Sequence, residues 1–182
     1  DGYHGEDIKV IAKAIIDDVG DKYLLEEGHD FFREKGLESL IQGIKDDLDM
    51  YRVTFDSWFN ERVLYETGEV EKTIEKLTEL GKTYEKDGAL WLKTSEYFDD
   101  KDRVIIKSDK TYTYITPDIA YHVNKINRGF DKLVNVLGAD HHGYLARLRS
   151  SIAALGYDGD ILDFEILQMV RLVRNGVEVK MS

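Results

Sequence analysis

The chain has 182 residues, a formal net charge of −11 and no cysteine. These values exclude a disulfide framework and a thiolate metal site, and they argue against this chain alone gripping a nucleic-acid backbone, which needs clustered Lys and Arg. No apolar run approaches the roughly 18 residues that a membrane span needs, so we expect no contact with a membrane. The absence of cysteine and of a signal-peptide pattern is compatible with a cytoplasmic location.

Helical periodicity dominates the first half of the chain. Apolar residues recur at helical spacing in three stretches and predict amphipathic helices over residues 6–18, 37–48 and 70–80. Residues 53–57 alternate in polarity and predict a short strand that ends at the aromatic pair Trp58-Phe59.

The period changes to two after Lys86-Asp87-Gly88, which is a turn sequence. Short apolar runs at residues 89–92, 104–106 and 112–114 are separated by compact polar turns and predict an antiparallel meander.

The stretch from residue 112 to residue 154 reads as strand, turn, helix, buried strand, polar loop and helix. Residues 132–137 form an apolar, β-branched run, which predicts a strand buried on both faces. The polar segment Asp140-His141-His142 follows at once, where a parallel strand meets its next helix. Open α/β sheets bind their ligands at such junctions.

Two further signals flank this stretch. Pro117 and Asp118 suit the first turn of a helix, and the Asp118 carboxylate is expected either to cap that helix or to face a ligand. Gly156 is expected to end the helix after the polar loop. Residues 164–172 predict another strand, and Asn175-Gly176 predicts a hairpin turn into a strand over residues 177–179.

These changes of period predict three parts. Residues 1–60 form a helical part with a strand, residues 61–110 a small mixed insertion, and residues 111–182 an α/β part.

Residue types alone leave several functions open. Asp118, Asp140, His141 and His142 could bind the metal of a metal-dependent hydrolase, although metal sites usually need ligands at defined spacing. The same side chains could simply cap a loop. The acidic chain could also be a non-catalytic interaction module.

Three segments in this order resemble the catalytic domain of the class I aminoacyl-tRNA synthetases, and most closely the bacterial arginyl-tRNA synthetases. They are YITPDIAY at residues 114–121, VLGADHHG at residues 136–143 and VKMS at residues 179–182. The segments DGYHG at residues 1–5 and FDSWFNE at residues 55–61 also fit that family.

The resemblance implies a pocket for arginine formed by Glu61, Tyr114, Asp118 and His141. Guanidinium is a planar, permanently charged fork that carboxylates accept in paired bonds, and a phenol can add an acceptor or stack on its face. His141 stands where some members of the family carry Gln, so this contact is kept in type but not in identity.

The resemblance also implies an ATP site at the end of the strand. Its residues would be Gly138, Asp140, His142, Met181 and Ser182, with Lys180 as the catalytic cation beside the phosphates. Mg²⁺ would enter with ATP, and no metal site of the protein itself is implied.

The implied fold is α/β: the second half of a Rossmann-like parallel nucleotide-binding sheet, with a helical segment and a small antiparallel β insertion. The implied activity is ATP-dependent formation of arginyl-adenylate and transfer of arginine to tRNA(Arg). Regions outside this segment would make most of the contacts with the tRNA, and the enzyme would be a monomer. The HIGH-type motif of the family has no match here, and KMS is one residue short of KMSK. We therefore expect this chain to be inactive by itself.

Overall fold

The computed structural model describes residues 5–24 and 28–179. Contacts divide the chain into two units, Asp1–Trp58 with Val179–Ser182, and Phe59–Glu178. None of the described helices is both long enough and apolar enough to cross a membrane.

The first unit contains two helices, α1 (Glu6–Val19) and α2 (His29–Met50). The helices predicted over residues 6–18 and 37–48 are both confirmed, and α2 begins eight residues before its predicted start. Neither has a buried residue in the described part of this unit.

The strand predicted over residues 53–57 is wrong, because this segment is irregular. The first backbone N–H of this segment caps the end of α2, because Val53 N–H donates to the carbonyl of Leu48 at 2.9 Å. The preceding residue, Arg52, has a positive φ of 58°. The aromatic residues then pack locally, with the Phe55 and Trp58 rings 5.4 Å apart, and Lys45 Nζ lies 5.0 Å from the centre of the Trp58 ring. The alternation of polarity therefore reflects a segment folded along α2, not a strand with a partner.

The second unit contains the remaining elements. In chain order they are α3 (Arg62–Glu66), α4 (Glu69–Glu79), β1 (Thr83–Lys86), β2 (Ala89–Leu92), a 3-10 turn (Thr94–Glu96), β3 (Arg103–Ile106), α5 (Ile115–Asn127), β4 (Leu133–Gly138), a 3-10 segment (Ala139–Tyr144), α6 (Leu145–Ala154), a 3-10 turn (Gly159–Ile161), β5 (Leu162–Leu167), β6 (Leu172–Arg174) and β7 (Val177–Val179), whose last residue is assigned to the first unit.

The antiparallel meander is present, but it is shifted along the chain. Its strands pair in the order β1-β2-β3. The turn between β1 and β2 has positive φ at Asp87 and Gly88, as a type I′ hairpin requires. The run 112–114 is not its third strand, because only a single bridge joins Tyr112 to Ile106. Thr113 instead donates through Oγ1 to the Val104 carbonyl at 2.8 Å, which turns the chain toward α5.

A parallel pair of strands forms the α/β part. Strand β4 pairs with β5 in register from Leu133↔Leu162 to Gly138↔Leu167. The prediction that this run is buried on both faces is wrong, since Val134 and Val136 are 58% and 62% exposed. Leu133 instead joins the core that α5 and α6 also build, so the described residues cover one face only.

Two helix ends match their sequence signals. Helix α5 starts at Ile115, which places Pro117 in its first turn. Helix α6 ends in a Schellman motif, because Tyr157 donates to the carbonyl of Ile152 and Gly156, at φ 90°, donates to that of Ala153.

Strand β5 ends at Leu167, five residues before the end of the strand predicted over residues 164–172. The hairpin at Asn175-Gly176 is confirmed, with φ of 53° and 76° between β6 and β7.

The core of the second unit depends on Leu148, which is 1% exposed on α6. We expect Leu148→Ala to lower the free energy of unfolding by about 2–5 kcal/mol, because the cavity cannot fully collapse. Val134→Thr on the exposed face of β4 keeps the β-branched shape, and it should change the free energy of unfolding by less than about 0.5 kcal/mol. Urea denaturation of both variants measures the difference, and equal losses would mean that α6 does not anchor the core.

Candidate ligand-binding site

The site centres on Asp118, whose carboxylate projects from the first turn of α5. The hydroxyl of Tyr144 donates a hydrogen bond to its Oδ2. On the other side, His122 Nδ1 lies 3.2 Å from Asp118 Oδ1 and 2.8 Å from the Asp118 carbonyl oxygen. Because both neighbours of Nδ1 are acceptors, this nitrogen carries the proton. Asp118 is therefore held from two sides and does not serve as a helix cap.

The surroundings keep Asp118 ionised. Burial by itself raises the pKa of a carboxyl, but here the hydrogen bonds from His122 and Tyr144 and the positive charge of Lys125 outweigh it, so the Asp118 pKa is below its usual value. Burial, together with the Asp118 charge, raises the pKa of Tyr144, so its hydroxyl stays a donor. The side chain of Asp118 remains 31% exposed, which leaves an ionised edge open to a cationic ligand.

Tyr114 lies beside this carboxylate. It directly precedes α5, its ring is 5.5 Å from that of Tyr144, and it is 66% exposed. Arg147 Nη1 donates to its hydroxyl at 2.6 Å. The phenol oxygen is therefore oriented by a cation on α6 while the face of the ring is available for stacking.

His141 approaches from the 3-10 segment. Its ring meets that of Tyr144 edge to face at 6.3 Å, and its Nδ1 is 3.0 Å from Asp140 Oδ1. The structure thus brings Tyr114, Asp118 and His141 together around Tyr144, as the arginine-pocket hypothesis requires of these three.

Glu61 has its contact elsewhere. Its Oε1 accepts from the Tyr65 hydroxyl at 3.5 Å, next to α3, and in the described part of the chain it does not bond to the other three residues. Its role in the pocket stays a prediction.

A concavity lies at the carboxyl ends of β4 and β5. It has a volume of about 610 Å³, and Gly138 and Asp140 line it together with Leu167 and Met169. A Cβ at Gly138 would stand 2.7 Å from Asp140 Oδ1, so a side chain there would displace this carboxylate from its position beside the strand end. This is the edge where parallel sheets bind ligands.

Several predicted residues cannot be placed. Lys180, Met181 and Ser182 lie outside the described residues, and so does the side chain of His142. In the part of the chain that is described, no three His, Asp or Glu side chains converge as metal ligands would.

The residues behind Asp118 were not predicted from the sequence. His122 is 3% exposed, and its Nε2 lies 2.9 Å from Asn135 Oδ1 and 3.0 Å from Lys125 Nζ. Asp118, His122 and Lys125 are spaced i, i+4 and i+7, which places them on one face of a helix and was a usable signal. Asn135 on β4 gave no such signal, because its place depends on the packing of α5 against the sheet.

Comparisons with known proteins identify the family. Residues 23–176 match the family described as tRNA synthetases class I (R), catalytic domain. The chain belongs to this family of class I synthetases.

Within this family, the chain is similar to relatives named arginine–tRNA ligase. The chain is 55% identical to arginine–tRNA ligase 1 of Halalkalibacterium halodurans and 50% identical to the arginine–tRNA ligase of Bacillus subtilis, in each case over 100% of this chain and 33% of the relative. The chain thus spans about a third of the length of these relatives. These names favour the synthetase interpretation over the metal hydrolase and the interaction module.

Solved structures agree on the fold. A Campylobacter jejuni structure assigned as an arginyl-tRNA synthetase superimposes with a TM-score of 0.91 at 36% identity, covering 100% of this chain and 40% of that one. The Thermus thermophilus arginyl-tRNA synthetase gives 0.59 at 16% identity, over 92% of this chain and 37% of its own, which shows the fold alone. The α/β assignment is therefore confirmed.

The two tyrosines allow a matched test of the Asp118 contacts. Tyr144→Phe removes the donor to Asp118 but keeps the ring, and should lower the free energy of unfolding by about 1.5–3 kcal/mol. Because the Asp118 pKa is lowered in the folded protein, this loss should be full above about pH 4 and shrink as the pH falls further. Tyr114→Phe should show no such pH dependence, since its hydroxyl bonds to Arg147. Unfolding at several pH values measures both, and a loss independent of pH in Tyr144→Phe would contradict the contact.

Proposed function

We propose that this chain is part of an arginine–tRNA ligase and binds the guanidinium group of arginine at Asp118. The observation that supports this most is the ionised, half-open carboxylate between Tyr144 and His122, with the exposed Tyr114 ring beside it. A carboxylate accepts a guanidinium in charge-assisted, paired bonds, and an aromatic face adds a stacking surface. His141 would border the same pocket, and Glu61 would complete it in the bound state.

The second substrate would be ATP, held at the carboxyl ends of β4 and β5. The concavity there, lined by Gly138 and Asp140, supports this placement. His142, Met181 and Ser182 would contribute to the nucleotide site, and Mg²⁺ would enter with the phosphates without a ligand from the described residues. The two sites share the 3-10 segment Ala139–Tyr144, so the substrates would approach each other at His141 and Asp140.

The reaction would proceed by orientation and charge stabilisation. The arginine carboxylate attacks the α-phosphate in line, a carboxyl–phosphate bond forms, and the bond to pyrophosphate breaks. A hydroxyl at the 3′ end of tRNA(Arg) then attacks the activated carbonyl and AMP leaves. Asp118 and Tyr114 would hold the arginine side chain, while the Lys180 ammonium would balance charge developing on the pyrophosphate.

The remaining expectations follow from the same proposal. The chain has 36 acidic and 25 basic residues, so tRNA would be gripped mainly by other parts of the full-length protein. The enzyme would act in the cytoplasm as a monomer. The boundaries near residues 60 and 110 remain our division of its catalytic region. The chain by itself, without a HIGH-type motif, should show no arginine-dependent exchange of ATP with pyrophosphate, and robust exchange would contradict this.

Asp118→Asn in the full-length protein tests the arginine site. The substitution keeps the shape and removes the charge, and a buried cation deprived of its partner costs about 3–5 kcal/mol. We therefore expect kcat/KM for arginine to fall by roughly two to four decades, with ATP affinity nearly unchanged and lysine a poor substrate in both forms. Exchange kinetics at varied arginine and at varied ATP separate the two effects. A change of only a few-fold for arginine would remove the main support for the assignment.

Lys180→Ala tests the other substrate. If the ammonium stabilises charge that develops on the pyrophosphate, adenylation should slow by roughly 10²–10³, while arginine binding changes little. Single-turnover formation of adenylate gives the rate, and equilibrium titration with arginine gives the affinity. An unchanged rate with a raised KM for arginine would place Lys180 in the wrong site.

A further inference from the structure

A chain of hydrogen bonds leads from the Asp118 carboxylate to a lysine behind it. His122 donates from Nδ1 to Asp118, and its Nε2 lies 2.9 Å from Asn135 Oδ1 and 3.0 Å from Lys125 Nζ. The same ammonium also lies 3.3 Å from Asn135 Oδ1 and 4.6 Å from the centre of the Tyr121 ring. The ammonium therefore lies among an imidazole nitrogen, an amide oxygen and an aromatic face, and the positive charge has a defined place.

The lysine balances the charge of the carboxylate. Asp118 carries one negative charge and Lys125 one positive charge, with the His122 ring between them. Burial lowers the pKa of Lys125 to about 8, although the Asp118 charge opposes this and Arg128 adds to it. Lys125 is thus near its titration point.

We propose that Lys125 is the counter-cation of Asp118 in the unliganded protein, and that a guanidinium bound to the open edge of Asp118 expels a proton from Lys125 to solvent. This inference rests on the proposed arginine site. It assigns Lys125 and His122 as positioning residues, since they act on the ligand through Asp118.

The charge count requires one group to respond. A guanidinium at Asp118 would leave two cations around one carboxylate in a partly desolvated site, which is unfavourable. The guanidinium cannot lose a proton near neutral pH, and the proton on His122 Nδ1 is held by its bond to Asp118. The neutral amine of Lys125 keeps two hydrogens, so it still donates to His122 and the carboxylate keeps its orientation.

The charged groups on neighbouring elements have other partners. Arg128, after α5, lies over the Phe130 ring. The remaining pairs are Arg103 on β3 with Asp99 and Asp100, Glu69 on α4 with Asn124, Arg147 on α6 with Tyr114, and Asp163 on β5 with Lys132. Lys125 is thus the cation that contacts the Asp118 network through His122.

The test is calorimetric titration of the full-length protein with L-arginine in buffers of different ionisation enthalpy. We expect the wild type to release roughly half a proton or more per arginine near pH 7, and its affinity to rise about three- to fivefold between about pH 7 and about pH 8. The sign follows because release of a proton on binding is favoured by higher pH.

Lys125→Arg is the decisive variant, because it keeps the positive charge but cannot give up a proton. It should bind arginine more weakly than the wild type and release no proton from this position. Lys125→Met removes the cation and should also abolish the release, with affinity no longer rising from about pH 7 to about pH 8. Lys132→Arg is the matched control, since Lys132 pairs with Asp163 on the surface, 3.0 Å away, and this variant should release protons as the wild type does.

The outcomes separate the two proposals. Arginine binding that Asp118→Asn weakens, but with no proton release in the wild type or with unchanged release in Lys125→Arg, would overturn the role of Lys125 and leave the arginine site standing. Binding that does not depend on Asp118 would overturn both. Because Lys125→Arg retains the charge and approximate length of the side chain, a folding defect confined to Lys125→Met would not rescue the proposal.

Discussion

The candidate site depends on one ionised carboxylate held in a partly buried place. Asp118 accepts a hydrogen bond from Tyr144 on one side and lies 3.2 Å from His122 on the other. A buried charge is costly unless it is paired and hydrogen-bonded, and these contacts make the ionised form the stable one. The exposed part of the carboxylate is left for a ligand of opposite charge.

The rest of the second unit holds this carboxylate in place. Thr116 is 2% exposed, and its Oγ1 donates a hydrogen bond to the carbonyl of Ile105 at 2.7 Å. This bond ties the start of α5 to strand β3. Farther along the helix, Tyr121 stacks on Phe59 with ring centres 4.4 Å apart. The antiparallel insertion thus positions the helix that carries the acid, although it contributes no residue to the proposed pocket. A side chain fixed by such packing is suited to select a ligand by charge and shape.

Sequence patterns predicted the elements better than their surroundings. Helical periodicity located α1, α2 and α4, and the turn chemistry of Asn175-Gly176 located the last hairpin, because these signals are local. The burial of β4 on both faces was wrong, since burial depends on which elements cover a sheet and not on the strand itself. The strand at residues 53–57 failed for a related reason, because alternation does not supply a partner and the N–H of Val53 caps α2 instead.

In the candidate site, too, some residues could be predicted from the sequence and others could not. Tyr114, Asp118 and His141 were found through a family resemblance, and the fold brings them together. His122 and Lys125 could have been found from their helical spacing with Asp118, whereas Asn135 and Tyr144 enter through contacts between α5, β4 and the 3-10 segment. Long-range contacts of this kind leave no periodic trace in the sequence.

The central claim is that Asp118 binds the guanidinium group of arginine. A crystal structure of the full-length protein with arginine bound tests it most directly. If Asp118 binds arginine, two guanidinium nitrogens should lie within about 2.7–2.9 Å of the Asp118 carboxylate oxygens, as in paired charge-assisted bonds, with the Tyr114 ring beside them. A guanidinium bound to other carboxylates, with Asp118 still contacting only Tyr144 and His122, would contradict it.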